Sequence, residues 1–513
     1  MPQYLSPGVY VEEVDSGSRP IEGVGTAVAA FIGLAPKGPT NQPTLVTNWS
    51  QYTQTFGEFT EGWYLAHAVY GYFLNGGGSA YVVRVNDDGQ APAQATARAE
   101  LPAGGEARVG AYRVESLLPG AAGNEISVEV SVPDDSPDDV FKLTIRGGGK
   151  VEEYEGLTTK RGRQNAMTVV NAQSKLVKLA EAAPPGGLQR PNPGTTTLVG
   201  GGAPAVAAPV RLTPQDYVGD PAERSGVGGL EAIDTVTMVA VPDLLAAHEK
   251  GILDSESLRA VQLGLIAHCE KMGDRVAIID PPAHLNAQQI YEWRREKAGY
   301  DSKQATLYWP WIKVFDPASG QNIFVPPSGH MAGVWARNDN TRGVHKAPAN
   351  EVVRGAISLE LNITKNEHDL LNPEGINCIR SFPSRGVRIW GARTLSSDPA
   401  WRYVNVRRLF NYLEKSILNG TDWVVFEPND LALWAKIRRT IASFLVMEWR
   451  KGALFGASAG DAFYVKCDGE TNPAEGIDLG QVVCEIGVAP VKPAEFVIFR
   501  MSQFSGGTSL VEA

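Results

Sequence analysis

The sequence predicts a mixed α/β multidomain protein: an α/β body, a β-rich module inserted into it and a C-terminal α+β domain. Three observations indicate this class. Apolar strand-like runs alternate with helical stretches over residues 235–314. The composition changes between residues 88 and 226, and two amphipathic helices precede short β-rich runs near the C-terminal end. A chain of 513 residues is also too long for one core and predicts about two to four domains.

The body is predicted to follow a short N-terminal strand, Val9–Val14, that lies between turn residues. A helix over residues 63–75 ends at Asn75-Gly76-Gly77-Gly78, which is a strong stop signal. Further strands are predicted at 27–34, 81–85, 235–241, 276–280 and 305–314, and further helices at 255–272 and 287–297. This alternation indicates an α/β layer with some parallel pairing. Residues 324–350 are predicted to be rich in loops.

The inserted module is predicted from its flanks and its patterning. Residues 91–105 and 184–221 are rich in Ala, Pro and Gly and are typical of flexible leads. Between them, alternating runs predict strands at 108–115, 125–132 and 140–146, and residues 164–182 predict a helix. The resulting divisions are an arm at 1–24, a body at 25–90 and 227–350, a module at 91–226, a C-terminal domain at 351–490 and an arm at 491–513.

The C-terminal domain is predicted to contain two amphipathic helices. The first opens at Asp398-Pro399, an N-cap followed by proline, and runs to residue 419. Its apolar face is predicted to carry Tyr403, Val406, Leu409, Phe410, Leu413 and Ile417. Arg408, Asn411 and Lys415 are expected on the polar face. The second helix covers residues 431–451 and ends in cations before Gly452.

Basic residues share one face of the second helix. At about 100° per residue, Lys436, Arg439, Ser443 and Arg450 lie opposite the apolar stripe. A basic face in a chain of net charge −10 indicates either a solvated surface or a docking site for an acidic partner.

Three β-rich runs end the chain, at residues 462–467, 481–488 and 495–504. Pro490 and Pro493 precede the third run and cannot donate to a β-ladder, so that run begins as a separate arm. A strand attached in this way can pair with its own sheet or with the sheet of a neighbouring molecule. The second possibility would make the protein a polymer.

No motif in the sequence requires an enzyme. The glycine-rich segments complete neither GxGxxG nor GxxxxGK[ST], and HExxH and GxSxG are missing. Asp243 and Asp280 follow apolar strands, where α/β enzymes place ligands, but the prolines after Asp280 favour a strand-ending turn. His268 is interpreted as a packed or hydrogen-bonded residue. His330 and His345 could bind a ligand, but a turn-rich structural crossover is favoured. The sequence therefore predicts no catalytic, cofactor or metal site.

Composition excludes further classes. The net charge of −10 and a pI near 5.4 argue against a nucleic-acid binder. We expect no secretory signal, and the weakly polar run at 24–35 is too short to span a bilayer. The four cysteines contain no CxxC pair and predict isolated thiols in a reducing compartment, although Cys467 and Cys484 could lie on adjacent strands.

Several segments together resemble a known family. The most specific are RYVNVRRLFNYLEKSILNGTDWVVFEPND (402–430), LWAKIRRTIASFLVMEWRKGALFG (433–456), CDGETNP and VAPVKPAEFVIFR. PPSGHMAGVWARNDNTRGVHKAPAN (326–350), SPGVYVEEV and AAFIGLAPKGP extend the match, and PGAAGNEISVEV (119–130) in the module is less specific. These segments resemble the contractile tail sheath family of phages, R-type pyocins and extracellular contractile injection systems.

The resemblance implies a non-enzymatic structural subunit without cofactors. Such subunits polymerise as stacked rings around an inner tube and contract to drive it through a target envelope. Terminal arms would complete the C-terminal sheets of neighbouring subunits by β-augmentation. The implied arm strands contain Val9, Tyr10, Val11 and Glu12 at one end and Phe496, Val497, Ile498, Phe499 and Arg500 at the other. The implied inner-tube contacts are Lys436, Arg439 and Arg450.

The resemblance also implies partners and a location. The partners are further copies of the chain, the inner tube protein, baseplate and tail-terminator or cap proteins, and an AAA ATPase for assembly or recycling. Neither nucleic acid nor direct membrane insertion is implied. Assembly would take place in the bacterial cytoplasm, into a phage tail or a tail-like particle that can be released. Three alternatives remain: the sheath of a true phage virion, an α/β enzyme with a β accessory domain, and a monomeric carbohydrate-binding or adhesion protein.

Overall fold

The computed structural model describes residues 20–85, 98–102, 110–118, 120–133, 136–181, 190–199 and 212–498. The strands are β1 Val28–Gly33, β2 Thr44–Val46, β3 Ser79–Arg84, β4 Arg98–Pro102, β5 Gly110–Ser116, β6 Ser127–Ser131, β7 Val140–Gly147, β8 Lys150–Thr158, β9 Val177–Glu181, β10 Gly194–Thr197, β11 Met238–Ala240, β12 Val276–Ile279, β13 Ala305–Trp309, β14 Ile312–Asp316, β15 Gln321–Val325, β16 Ser358–Leu359, β17 Ile376–Phe382, β18 Gly386–Ile389, β19 Phe463–Lys466 and β20 Glu485–Val488.

The α-helices are α1 Trp49–Phe56, α2 Leu65–Asn75, α3 Ala166–Gln173, α4 Pro214–Val218, α5 Asp243–Glu249, α6 Ser255–Met272, α7 Ala287–Glu292, α8 Ser328–Arg342, α9 Lys365–Leu371, α10 Val404–Gly420, α11 Leu431–Arg450, α12 Ala459–Ala462 and α13 Ala474–Asp478. A π-helical turn, Trp293–Ala298, follows α7. Short 3₁₀ turns cover Gly120–Glu125, Gly228–Ala232, Asn372–Glu374, Pro399–Trp401 and Asp422–Val424.

The chain divides into two compact units, a body unit of residues 1–86 and 212–513 and a module of residues 87–211. The predicted module ended later, at residue 226. The difference arises because α4 belongs to the body unit, where Val218 packs against Gly264 of α6. The mixed α/β class is confirmed.

The body unit is built on a sheet of eight strands in the order β18-β17-β13-β12-β11-β1-β3-β2. The six central strands are parallel, and β2 and β18 add antiparallel edges. Every residue of β11, β12 and β13 is buried. Sheets that are covered by helices on both faces have such continuous apolar strands rather than alternating ones. The predicted strand at 305–314 is two strands, β13 and β14.

Helix α8 corrects the expectation of loops at 324–350. It packs along α2, and a Cβ atom at Gly329 or Gly333 would collide with the α2 backbone at Ala68 or Tyr72. Glycine therefore occupies the contact positions because only it permits this close approach, at the expense of helix propensity. The glycines concealed the helix from a propensity argument.

The C-terminal part of the body unit has its own apolar cluster. Helices α10 and α11 contribute Leu409, Leu413, Trp434, Ile441, Phe444 and Leu445, and the segment before β1 contributes Ile21. The antiparallel pair β19–β20 packs against the same cluster through its partly buried residues. The predicted helices at 399–419 and 431–451 are thereby confirmed, although residues 399–401 form a 3₁₀ turn before α10.

The module contains two antiparallel sheets, β10-β6-β7-β8 and β4-β5-β9. Their shared core includes Val128, Phe141, Leu143 and Leu179. The predicted helix at 164–182 is wrong in its second half, where β9 pairs with β5. The helix ends because the Ser174 hydroxyl accepts hydrogen bonds from the backbone N–H groups of residues 176 and 177, turning the chain into the strand. Among all the residues described above, no helix is long and apolar enough to cross a membrane.

Candidate functional site

Helix α10 holds the segment through which the N-terminal part of the chain enters the body. The Val24 N–H donates to Ser416 Oγ over 3.1 Å, and Gly23 lies against the Tyr412 ring, where a Cβ atom would not fit. Ile21 is buried beside Gly420, the last residue of the helix. The chain is therefore fixed from residue 21 onward, and the predicted strand residues Val9, Tyr10, Val11 and Glu12 lie outside the described residues.

A buried ion pair joins α10 to α8. Arg408 donates to both carboxylate oxygens of Asp339, over 3.0 and 2.6 Å, and its guanidinium lies 4.7 Å from the centre of the Trp335 ring. The Thr26 hydroxyl also donates to Asp339, while its carbonyl accepts from Arg408. The polar face predicted for α10 is not a solvent-exposed face, since Arg408 and Asn411 are both buried. A cation can occupy an inward position here because Asp339 neutralises it.

The C-terminal segment is fixed at the opposite end of α10. Val491 donates to the Ala453 carbonyl over 3.3 Å, and its own carbonyl accepts from the Asn405 amide over 3.1 Å. Phe455 donates to the Ala489 carbonyl over 2.8 Å. The proline-rich stretch, which was predicted to begin a separate arm, is therefore bound to the body at residues 489 and 491.

Glu495 closes this attachment, and we call the group around it the Glu495 latch. Arg393 donates to both oxygens of the Glu495 carboxylate, over 2.9 and 2.6 Å, Asn372 donates over 2.8 Å and the Tyr403 hydroxyl over 3.2 Å. Burial raises the pKa of Glu495, but the hydrogen bonds and the Arg393 charge outweigh it, so the net pKa lies below the usual value. The carboxylate therefore remains ionised and bound at neutral pH.

Beyond the Glu495 latch the chain becomes exposed. Phe496, Val497 and Ile498 expose 72%, 67% and 78% of their surface. These three residues lie outside any strand, whereas the predicted strand covered residues 495–504. Phe499 and Arg500 lie outside the described residues. Three consecutive apolar side chains are therefore largely exposed in this single chain.

The β19–β20 pair is the nearest sheet to this exposed segment in the sequence. In the described part of the chain it has only two strands, paired from Phe463–Val488 to Lys466–Glu485. Tyr464 exposes 60% of its surface. An isolated two-stranded sheet is marginally stable and presents unpaired backbone groups at its edges, so it can accept additional strands.

The basic face predicted on α11 is present. Arg439 and Arg450 are exposed, and the Lys436 ammonium lies 4.3 Å from the centre of the Trp423 ring. Within residues 20–498, where described, none of the three forms an ion pair with a carboxylate. Met447 lies between them on the same face and is 43% exposed. The face therefore combines unneutralised positive charge with an apolar side chain.

The connection between α10 and α11 carries further exposed apolar residues. Phe426 is fully exposed and has a φ of 69°, and Val425 is 63% exposed. Leu431, the first residue of α11, is 73% exposed. A non-glycine residue in this left-handed region is strained by about 1 kcal/mol or more. Sequence patterning did not predict this feature, because an isolated Val-Phe pair in a loop has no periodicity to identify it.

The two acids considered as catalytic candidates, and His268, have structural partners. Asp243 accepts hydrogen bonds from the backbone N–H groups of Leu34 and Leu65, and burial raises its pKa to about 6. Asp280 accepts from the Ser328 N–H at the start of α8, and burial raises its pKa to about 7. His268 lies in α6 beside Arg275. The described residues contain no group of His, Cys, Asp or Glu that could hold a metal ion.

Two family models match the chain in succession. Residues 227–395 match the phage tail sheath protein central domain, and residues 396–504 match the phage tail sheath C-terminal domain. Together they span more than half of the chain. A tail sheath protein of Burkholderia phage BcepMu is 24% identical over 517 residues, covering 96% of this chain and 95% of the relative.

Two solved structures share the fold over almost the whole chain. The sheath of an extracellular contractile injection system in its contracted state is 24% identical with a TM-score of 0.60, covering 98% of this chain and 99% of its own. The contracted helical sheath of the anti-feeding prophage is 24% identical with a TM-score of 0.61, covering 97% and 99%.

Proposed function

Because the chain belongs to the phage tail sheath family, we propose that its two chain ends and its basic helix face perform the two kinds of contact that a sheath needs. The chain is a structural sheath subunit that polymerises helically around an inner tube and contracts to drive that tube forward. The finer assignments are that the ends link neighbouring subunits and that the basic face binds the tube. The predicted linker and tube-facing roles are thus retained as proposals.

One observation carries the linking proposal: α10 anchors the roots of both ends, at opposite termini. Ile21 contacts Gly420 at the C-terminal end, and Glu495 binds Tyr403 at the N-terminal end. At 1.5 Å per residue these points lie about 25 Å apart along the helix. The two arms therefore begin at the two ends of α10, which is a rigid helix. Each arm can then pair with an exposed edge of the β19–β20 sheet of a neighbouring subunit.

Strand addition also explains why exposed apolar residues follow the Glu495 latch. Phe496, Val497 and Ile498 would bury alternate side chains once they pair with a sheet edge. If each arm forms about four to six ladder bonds at about 0.5–1.5 kcal/mol each, one arm contributes only a few kcal/mol. Repetition along the polymer makes the network strong, while the subunit bodies stay able to rotate.

Truncations can remove the part of each arm beyond its attachment to α10 and leave the attachment itself intact. Deleting residues 496–513 leaves the Glu495 latch intact, and deleting residues 1–19 leaves Ile21 and Val24 on α10. Both variants should fold, with thermal unfolding like that of the full chain, and yet form no sheath tubes in electron micrographs. Tubes of normal length from either variant would refute the linking role.

We propose that Lys436, Arg439 and Arg450 dock on an acidic surface of the tube. Unpaired cations on one helix face favour such a partner, and their contribution lies mainly in register and reversibility. Reversing all three charges should give sheaths without a tube. A matched control reverses Lys150, Arg161 and Arg163, exposed cations of the module. Particles that retain the tube in the first variant, or lose it in both, would contradict specific docking.

The remaining partners and the location follow from the same proposal. Baseplate and terminator or cap proteins would contact the ends of the polymer, and an AAA ATPase could act in assembly or recycling. We further propose that the chain has no catalytic role and that it assembles in the bacterial cytoplasm. Whether the particle is a phage virion or a released injection system would be decided by purifying particles and testing them for packaged DNA.

A further inference from the structure

We propose that Cys467 and Cys484 form a reversible cross-strand disulfide when the protein meets an oxidising small-molecule disulfide. The bond would join the ends of β19 and β20 where residues 468–483 leave and return. The chemistry of the site is independent of the sheath role, but its effect on neighbouring arms rests on the proposed function.

The strand register places the two thiols opposite each other. Lys466 pairs with Glu485, so Cys467 and Cys484 are the next facing residues. Asn472 holds this end of the ladder together. Its side chain accepts from the Val483 N–H over 2.6 Å and donates to the Val483 carbonyl and to Cys467 Sγ over 3.0 and 3.8 Å.

The type of pairing also suits a disulfide. At the other end of the ladder Ala489 donates to the Ala462 carbonyl over 2.8 Å, which makes that step a hydrogen-bonded pair. Hydrogen-bonded and non-hydrogen-bonded pairs alternate along an antiparallel ladder, so Cys467 and Cys484 form a non-hydrogen-bonded pair. Such pairs have Cα atoms about 4.5 Å apart, at the near end of the disulfide range of about 4.4–6.8 Å. The two thiols lie close enough for each to affect the pKa of the other.

Accessibility sets the order of the reaction. Cys467 is fully buried and Cys484 is partly exposed. The Cys484 thiol would lose its proton to solvent and attack one sulfur of the small disulfide, breaking its S–S bond and releasing one thiolate. Deprotonated Cys467 would then attack Cys484 Sγ, breaking the mixed disulfide and releasing the second thiolate. Two cysteines are thus oxidised and one small disulfide is reduced to two thiols, which take up the two protons.

The environment makes this reaction slow at neutral pH. Burial raises the pKa of Cys484 to about 12, and the neighbouring Cys467 thiol adds to the rise. Burial also raises the pKa of Cys467. Because the thiolate is the attacking species, the rate should increase about tenfold per pH unit well below these pKa values. The pair would remain reduced during assembly in a reducing compartment and close gradually after release.

The test uses the full chain incubated with oxidised glutathione. We expect the free thiols, counted after denaturation, to fall from four to two. Peptide mapping without reductant should join Cys467 to Cys484, and amide exchange in residues 468–483 should slow by about tenfold or more. Reduced glutathione should reverse all three changes. Cys467→Ser and Cys484→Ser should each abolish the linkage, whereas Cys269→Ser and Cys378→Ser should retain it.

Three outcomes would overturn the proposal: four free thiols after prolonged oxidation at pH 8.5, a linkage through Cys269 or Cys378, or a stable glutathione adduct on Cys484 without closure. Electron microscopy of the reduced chain tests sheath formation separately. A chain that forms the bond but no tubes would refute the proposed function alone, and tubes without the bond would refute this proposal alone.

Discussion

The Glu495 latch can be tested by replacing the carboxylate with an amide of the same shape. Arg393 donates two short hydrogen bonds to Glu495, whose side chain is 18% exposed. Hydrogen bonds to a charged group contribute about 1.5–3 kcal/mol each when buried. The side chain is partly exposed, and the amide oxygen of glutamine can still accept one hydrogen bond. In Glu495→Gln the bound state of the C-terminal segment should therefore lose only about 2 kcal/mol of stabilisation. The equilibrium for local opening of the C-terminal segment should then rise about 30-fold.

Hydrogen–deuterium exchange measured by mass spectrometry reports this opening. The Val491 N–H bonds to the Ala453 carbonyl and should lose about 30-fold in protection, together with its neighbours in residues 489–495. Glu485→Gln is a matched control because Glu485 is an exposed residue of β20. Equal protection of residues 489–495 in the two variants would show that the Glu495 latch does not hold the segment.

Three further predictions concern the body unit and its exposed connection. Arg408→Met leaves Asp339 buried without its cation and should lower the free energy of unfolding by about 3–5 kcal/mol in denaturant titrations. Adding Asp339→Asn should recover part of that loss. If the losses of the two single variants simply add in the double variant, the pairing is contradicted. Burial raises the pKa of Asp280 to about 7. The stabilising contribution of Asp280 is therefore fully present below the unfolded pKa of about 4, and it is lost as the pH rises through 7. The loss in the free energy of unfolding amounts to up to about 4 kcal/mol. The melting temperature of Asp280→Asn should therefore depend less on pH than that of the unaltered protein. Phe426→Asn relieves backbone strain without removing buried surface and should raise stability by about 1 kcal/mol; a lower melting temperature would mean that the side chain packs against the body.

Helices with a capping residue at the start and a glycine at the end were predicted well from the sequence. Helix α6 was predicted with the bounds it has, because Asp254 caps its start and Gly273 adopts a left-handed conformation at its end. Helix α8 was missed because Gly329 and Gly333 serve its contact with α2 rather than its own propensity. A helix is therefore predicted well when its own sequence contains the capping signals. It is predicted poorly when contact with another helix determines which residues it contains.

The ion pairs of the candidate site could not be predicted from the sequence. Arg408 and Asp339 are 69 positions apart, and Arg393 and Glu495 are 102 positions apart, so no local pattern joins them. The one signal in the sequence is Glu495, a charged residue directly before the apolar residues Phe496, Val497 and Ile498. The basic face of α11, in contrast, depends on helical periodicity alone and was predicted residue by residue.

The attachment of both chain ends to α10 has a mechanical consequence. Under the proposed function, tension from one neighbour would enter beside Gly420 and leave toward another beside Tyr403, passing along the hydrogen-bonded backbone of a single helix. The eight-stranded sheet would lie outside this direct path. A sheath built in this way could transmit axial force through a chain of helices while the bulk of each subunit turns without carrying the load.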